Sequence, residues 1–163
     1  MTEHKPHQII PPSNMLRAKI GTDPALLHKQ AVERANQALD GLKSEFIQWI
    51  GEDLDKLKKA RDVVREDPSC AQSLENLRTH SHDLKGLGTT YGFPLVSRLA
   101  GSLCKLIEGI EARSGALPMD LAEKHIDAMI AVVAQEIKTD DDTASVAVAE
   151  TLELMAAQHI ASL

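Results

Sequence analysis

Between Pro94 and Gly115 the chain places Leu95, Leu99, Leu103, Leu106 and Ile110 at spacings of four and three. This spacing returns every side chain to one side of a 3.6-residue helix and does not fit the two-residue alternation of a strand. Phe93-Pro94 starts the helix, proline suiting the first helical turn. Gly115 ends it, after Arg113 has supplied a favourable charge near the C-terminus. A stripe this apolar is stable only against other helices, so the rest of the chain must provide them.

Other stretches show the same periodicity. Asp23-Pro24 reads as an N-cap and a first-turn proline, followed by Leu27, Ala31, Ala35, Ala38 and Leu42. Phe46, Trp49, Ile50, Leu57, Ala60 and Val64 continue the pattern to about Glu66, as one helix or as two bent at Gly41 or Gly51, and Asp67-Pro68 closes it. Ser69-Cys70-Ala71-Gln72 has the form of a capping box, and its helix runs through Leu74, Leu77, Leu84 and Leu87 to about Tyr91, where Gly92 breaks it. Pro118 opens a helix with Leu121, Ala122, Ile126, Met129, Val132, Val133 and Ile137 on a broad apolar face. Asp140-Asp141-Asp142-Thr143 serves as connector and N-cap for a last helix, at about 143–162, expected to bury Val148, Leu152, Met155 and Ile160.

Long helices joined by short connections predict an all-α fold, an antiparallel up-and-down four-helix bundle with an extra N-terminal segment and an extra C-terminal helix. Residues 1–22, with Pro6, Pro11, Pro12 and Gly21, read as an arm whose Met15, Leu16 and Ile20 pack on the bundle. Residues 23–163 read as a single helical domain. Aromatic residues are 2% of the chain against 43% for the wider hydrophobic set, so the core must be aliphatic.

A net charge of −6 with one Trp, one Tyr and two Phe gives neither the basic footprint nor the stacking surface of a nucleic-acid binder. No apolar run approaches a membrane span and the charged N-terminus has no secretory h-region, so a cytoplasmic protein with no membrane partner is expected. Cys70 and Cys104 stand at no metal-like spacing and read as free thiols.

Chemistry concentrates in the run from Thr79 to Gly92, which contains His80, His82, Asp83, Lys85 and Gly86. With His82 set at 0° on a helical wheel, Leu77, Leu84, Leu87 and Tyr91 fall between about 140° and 220°, so His82 faces solvent. His80, at roughly 160°, falls in the apolar stripe and reads as packing. Two histidines on nearly opposite sides of a helix cannot chelate one ion, and no other histidine pair has ligand spacing, so no metal site is expected. Ser81 at roughly 260° points away from His82, and the chain has no nucleophile elbow. A nucleophilic role fits the neighbours best. An exposed imidazole can take a phosphoryl group, Lys85 one turn on can balance its charge, and Gly86 leaves the approach clear.

His82-Asp83-Leu84-Lys85-Gly86, with Gly92 six residues beyond Gly86, resembles the H-x-L-K-G-x(5)-G pattern of histidine-containing phosphotransfer (HPt) domains. Tyr91-Gly92-Phe93 is similar to the version in the P1 domain of CheA-type chemotaxis kinases. The resemblance covers about residues 43–138. It implies that His82 is phosphorylated, that Lys85 steadies the phosphoryl group and that Gly86 admits the partner. It further implies that the phosphoryl group passes from one response-regulator receiver domain to another, with a hybrid sensor kinase upstream. The chain would need no cofactor of its own, because the receiver brings the magnesium ion, and it would be a carrier rather than an independent catalyst. Arg78 and Thr79 on the His82 face, with Arg98 and Lys105 on the next helix, are the candidate partner-interface residues. A plain solvated surface explains Arg78 as readily and Thr79 more readily. Two other classes compete: the histidine-bearing dimerisation hairpin that a sensor kinase ATPase domain phosphorylates, and a non-transferring helical adaptor. The lack of a nucleotide motif and the presence of Gly86 weigh against the hairpin, and Lys85 with Gly86 weighs against the adaptor.

Overall fold

Helix α3, Pro94–Glu111, organises the core, with Leu95, Val96, Leu99, Ala100, Leu103, Leu106, Ile107 and Ile110 all buried. The five residues of its sequence stripe account for one side of this burial. Val96, Ala100 and Ile107 widen the apolar surface, so α3 meets three other helices rather than two.

The computed structural model describes residues 24–68, 70–139 and 141–163. Besides α3 it contains α1, Pro24–Glu66, α2, Ala71–Leu87, α4, Met119–Ala134, and α5, Thr143–Ser162. Among the described residues there is no strand, and the chain is a helical bundle. No described helix is long and apolar enough to cross a membrane. The expected arm at 1–22, the Asp23 cap and the Ser69 end of the capping box lie outside the described residues. At the start of α2 the N-cap position is held by Cys70.

Contacts divide the chain into two units that meet between Leu42 and Lys43. In the first, α1 is helical from Pro24 and exposed at every described side chain from His28 to Leu39. Gly41 and Gly51 do not interrupt α1, which answers the question of one helix or two.

In the second unit, Ile50, Leu54, Leu57, Ala60 and Val64 of α1 enter one core with Leu77 and Leu84 of α2 and Leu121, Ala122, Ile126, Met129 and Val132 of α4. Arg65, at the end of α1, donates to Glu123, near the start of α4. Helix α3 packs against α2, α4 and α5, and α5 also packs against α4. Asp142 caps α5 by accepting from the Ser145 N–H at 3.0 Å, as the acidic connector predicts.

The expected phase of α5 needs correction. Leu152 is buried, but its companions are Ala149 and Ala156, whereas Val148 and Met155 are exposed. Alanines let α5 lie close to α3, and Ile160 sits over Gly109 where a side chain on the glycine would clash. A helix apolar on nearly every side gives the sequence pattern no unique face to choose, which explains the error.

Three of the four aromatic residues gather at one end of the second unit. Phe46, Trp49 and Tyr91 have ring centroids 5.5 to 6.3 Å apart. Phe93, the fourth, is fully buried under the Lys138 ammonium.

Candidate functional site

Helix α2 buries Ser73, Leu77, Ser81 and Leu84, a narrow seam that leaves His82, Asp83, Lys85 and Gly86 exposed. The seam is rotated slightly from the sequence expectation. Ser81 lies inside it, its hydroxyl donating to the Leu77 carbonyl at 2.7 Å, while Leu87 is at the surface. A serine can occupy this position because the i−4 carbonyl satisfies its hydroxyl. His80 is half-buried on the other flank, in a groove of about 250 Å³ with Lys56, Lys59, Val63 and Asn76, rather than in the core.

After Leu87 the chain keeps helical hydrogen bonds for one more turn and then stops abruptly. Phe93 N–H donates to the Gly88 carbonyl and Gly92 N–H to that of Thr89, the paired bonds of a Schellman motif. Gly92 takes φ +87°, a left-handed conformation that any side chain would strain. Gly88 has a different duty. A Cβ there would lie 2.7 and 2.8 Å from Ser97 Oγ and N, so a bare backbone is what lets α2 approach α3. Ser97 Oγ in turn accepts from the Thr89 N–H at 2.8 Å. The position of His82 is thus fixed by a buried seam beneath it and a tight turn beyond it.

Lys85 and Gly86 differ in their surroundings. The stem of Lys85 lies along Gly101 of α3, with Cγ and Cδ 3.7 Å from where a Gly101 Cβ would stand. This lays the lysine across the α2–α3 junction, beside a groove of about 420 Å³ lined also by Arg98, Ser102, Lys105 and Glu153. Around Gly86 the described residues leave open space, since an added Cβ would meet none of them within 4 Å. Cys104 is buried nearby on α3. Burial pushes its thiol up to about 11, against the opposing pull of Lys85, so it stays protonated near neutral pH.

Of the four candidate interface residues, two are already engaged in ion pairs. Arg78 makes a two-pronged contact with Glu75, which raises the guanidinium's pKa and holds the Glu75 carboxyl below its ordinary value. Thr79 is exposed one residue further along the same helix. Arg98 reaches across to α5, its Nε and Nη2 donating to the two carboxylate oxygens of Glu153 at 3.0 and 2.7 Å. Lys105 is exposed on α3. Glu75 and Glu153 were not singled out in the sequence, although Glu75 stands at the i−3 spacing from Arg78 that pairs charges on a helix.

A second polar feature was also missed. His125 on α4 is fully buried; its Nδ1–H donates to the Leu121 carbonyl at 2.7 Å and its Nε2 accepts from Ser102 Oγ at 2.9 Å. Burial lowers its pKa below the usual histidine value. Its position four residues after Leu121, next to Ile126, places it on the apolar face of α4, and that was the available signal.

Residues 41–136 match the family model described as Hpt domain, more than half of the chain. The chain belongs to the Hpt domain family. As an Hpt protein it is a histidine phosphotransfer module of two-component phosphorelays. No curated protein and no solved structure matches it significantly. The match ends just past α4, so α5 and its Glu153 are additions beyond the Hpt segment. Among the described residues of this Hpt chain, no group of three or more His, Cys, Asp or Glu could hold a metal ion.

Proposed function

We propose that His82 accepts a phosphoryl group from the aspartyl phosphate of one receiver domain and passes it to an aspartate of another. In the first step the lone-pair nitrogen of the neutral imidazole attacks phosphorus. The phosphorus–oxygen bond to the aspartate breaks, the electron pair leaves on the carboxylate, and a phosphoramidate remains. The second step reverses this on the next receiver. Lys85 balances the charge of the bound group, and Gly86 clears the strip along which the receiver approaches. Magnesium belongs to the receiver in this scheme, so the chain is a carrier working with cytoplasmic partners, a hybrid sensor kinase among those upstream.

The observation that carries this reading is the bare strip of α2. His82 and Gly86 are both exposed, and among the described residues no neighbour explains why residue 86 lacks a side chain. A helical glycine costs up to about 1 kcal/mol relative to alanine, so its benefit lies with something that docks.

The same reading takes the bundle as up-and-down. The Arg65–Glu123 pair joins the end of α1 to the start of α4, which supports opposite directions for those helices. Gly109 and Arg98 of α3 meet Ile160 and Glu153 of α5, which supports α5 as an extra helix laid outside the four.

Incubating the full chain with a radiolabelled phospho-receiver tests the reading. Acid-labile, base-stable label should appear on the chain and vanish in His82→Gln. Label that survives that substitution, or none in the wild type, would refute it.

A further inference from the structure

We propose that the groove between α2, α3 and α5 binds a small anion carrying two acidic groups, held by the ammonium groups of Lys85 and Lys105. The groove encloses about 420 Å³, the size of a small-molecule site. It exists because the helices present small residues to it. Gly101 and Ser102 of α3 and Ala156 and Ala157 of α5 leave room that larger side chains would fill. The Lys85 stem lies along Gly101, and Lys105 stands four residues further on, one turn along the same side of α3. Two ammonium groups so placed suit a ligand with an acid at each end.

Charge decides the ligand class. The charged side chains that line the groove are the cations Lys85, Arg98 and Lys105 and the carboxylate of Glu153. Arg98 and Glu153 engage one another through two hydrogen bonds, at 3.0 and 2.7 Å. The hydrogen bond from Arg98, with weaker help from Lys105 and His125, holds the Glu153 carboxyl below its ordinary value, so it stays ionised and on Arg98 near neutral pH. Among the described residues neither Lys85 nor Lys105 forms an ion pair. Three cations less one carboxylate leave two positive charges in the groove, in a chain whose net charge is −6. An anion with two acidic groups matches that surplus.

Position separates the groove from the receiver's path. On α2, Gly86 lies at roughly 40° from His82 and Lys85 at roughly 300°, on opposite sides of it. A receiver that comes in over the bare strip at Gly86 leaves the groove side to another ligand. The third wall, α5, lies beyond the matched residues 41–136, so it is an addition to the Hpt segment. The groove is nevertheless coupled to His82, because an anion that holds Lys85 competes with a phosphoryl group for the same charge. This coupling rests on the transfer role proposed for His82, whereas binding does not.

Succinate and inorganic pyrophosphate are the probes, one for carboxylate and one for phosphate chemistry. Calorimetric titration of the unphosphorylated full chain should give a single site for at least one of them, with a dissociation constant of about 1 mM or tighter that rises with added salt. Lys105→Gln and, separately, Ala157→Trp, which fills the groove from an exposed position, should each weaken binding by about tenfold or more. Lys124→Gln, on α4 and outside the groove, should not. After treatment with phosphoramidate, a chemical phosphoryl donor to histidine, the chain should bind the same probe about tenfold more weakly, and treated His82→Gln should bind as the untreated chain does. Absence of binding by both probes at about 10 mM overturns the proposal. So does binding that survives both groove substitutions; if those substitutions also slow transfer, the groove belongs to the receiver's footprint. Equal affinities with residue 82 verified as phosphohistidine overturn the coupling. Binding that persists in a chain that takes no label from a phospho-receiver would refute the transfer reading and leave the anion site standing.

Discussion

Lys85 of α2 lies flat on Gly101 of α3, its Cγ and Cδ at 3.7 Å from the point where a Cβ would project. The contact is ordinary van der Waals distance, so Gly101→Ala should leave fold and transfer nearly unchanged. A longer side chain has to push the lysine stem away. Gly101→Leu is expected to slow transfer in the same direction as Lys85→Ala, although residue 101 bears no charge. A hydrogen bond to a charged group is worth about 1.5–3 kcal/mol, so Lys85→Ala should reduce transfer or phosphohistidine lifetime by about 10- to 100-fold. Timed transfer from a phospho-receiver measures both, and equal rates for wild type and Lys85→Ala would remove the lysine from the site.

Gly109 and Ile160 give the corresponding test for α5. A Cβ on Gly109 would lie 2.8 to 3.0 Å from three carbons of Ile160, a branched side chain with little freedom to retreat. Gly109→Ala should therefore destabilise by about 1–3 kcal/mol, despite alanine's better helix propensity. The double variant with Ile160→Ala should lose less than the sum of the single losses, as expected for residues in direct contact. Urea unfolding midpoints measure the cycle, and strict additivity would refute the contact.

What the sequence made legible, and what it did not, follows from how each residue is constrained. The α3 stripe was readable because Leu95, Leu99, Leu103, Leu106 and Ile110 alternate with residues of different polarity or size, and all five are buried. In α5 apolar residues surround the helix, so the periodicity chose Val148 and Met155 where tertiary packing chose Ala149 and Ala156. Around His82 the wheel correctly separated an exposed histidine from a buried leucine seam. It misjudged its edges, since Ser81 enters the interior only because the Leu77 carbonyl accepts its hydroxyl. Partner choices across helices, such as Arg98 with Glu153 or Ser102 with His125, depend on three-dimensional proximity and left no local trace.

The Ser102–His125 pair predicts a pH dependence of stability. Burial, the main cause, holds the imidazole's pKa below its ordinary value of about 6.5. Above that value His125 is neutral both folded and unfolded, and its contribution is fully present. As pH falls through about 6.5, the unfolded chain binds a proton that the folded chain refuses, so stability declines until the lowered folded pKa is reached. Urea midpoints should fall between about pH 7.5 and pH 5.5, and His125→Gln should flatten that part of the slope. Ser102→Ala, which leaves Nε2 without its donor, should cost about 1–3 kcal/mol at neutral pH. A slope unchanged in His125→Gln would assign the titration to other groups.

Gly86 separates stability from function most sharply, because substitution there should move them in opposite directions. An added Cβ meets none of the described residues within 4 Å, so Gly86→Ala relieves glycine's helix cost without a clash among them and should stabilise by up to about 1 kcal/mol. Gly86→Gln adds a longer side chain to the same open strip. It should keep most of that gain, because glutamine is also a better helix former than glycine. Beside His82, however, that side chain occupies the space through which a receiver must bring its aspartate. Misplacing reacting atoms by about 1 Å costs up to roughly 100-fold, so transfer to Gly86→Gln should fall by about tenfold or more while its unfolding midpoint rises. If both midpoint and transfer rise together, the glycine is not an access device and the receiver approaches His82 from another side.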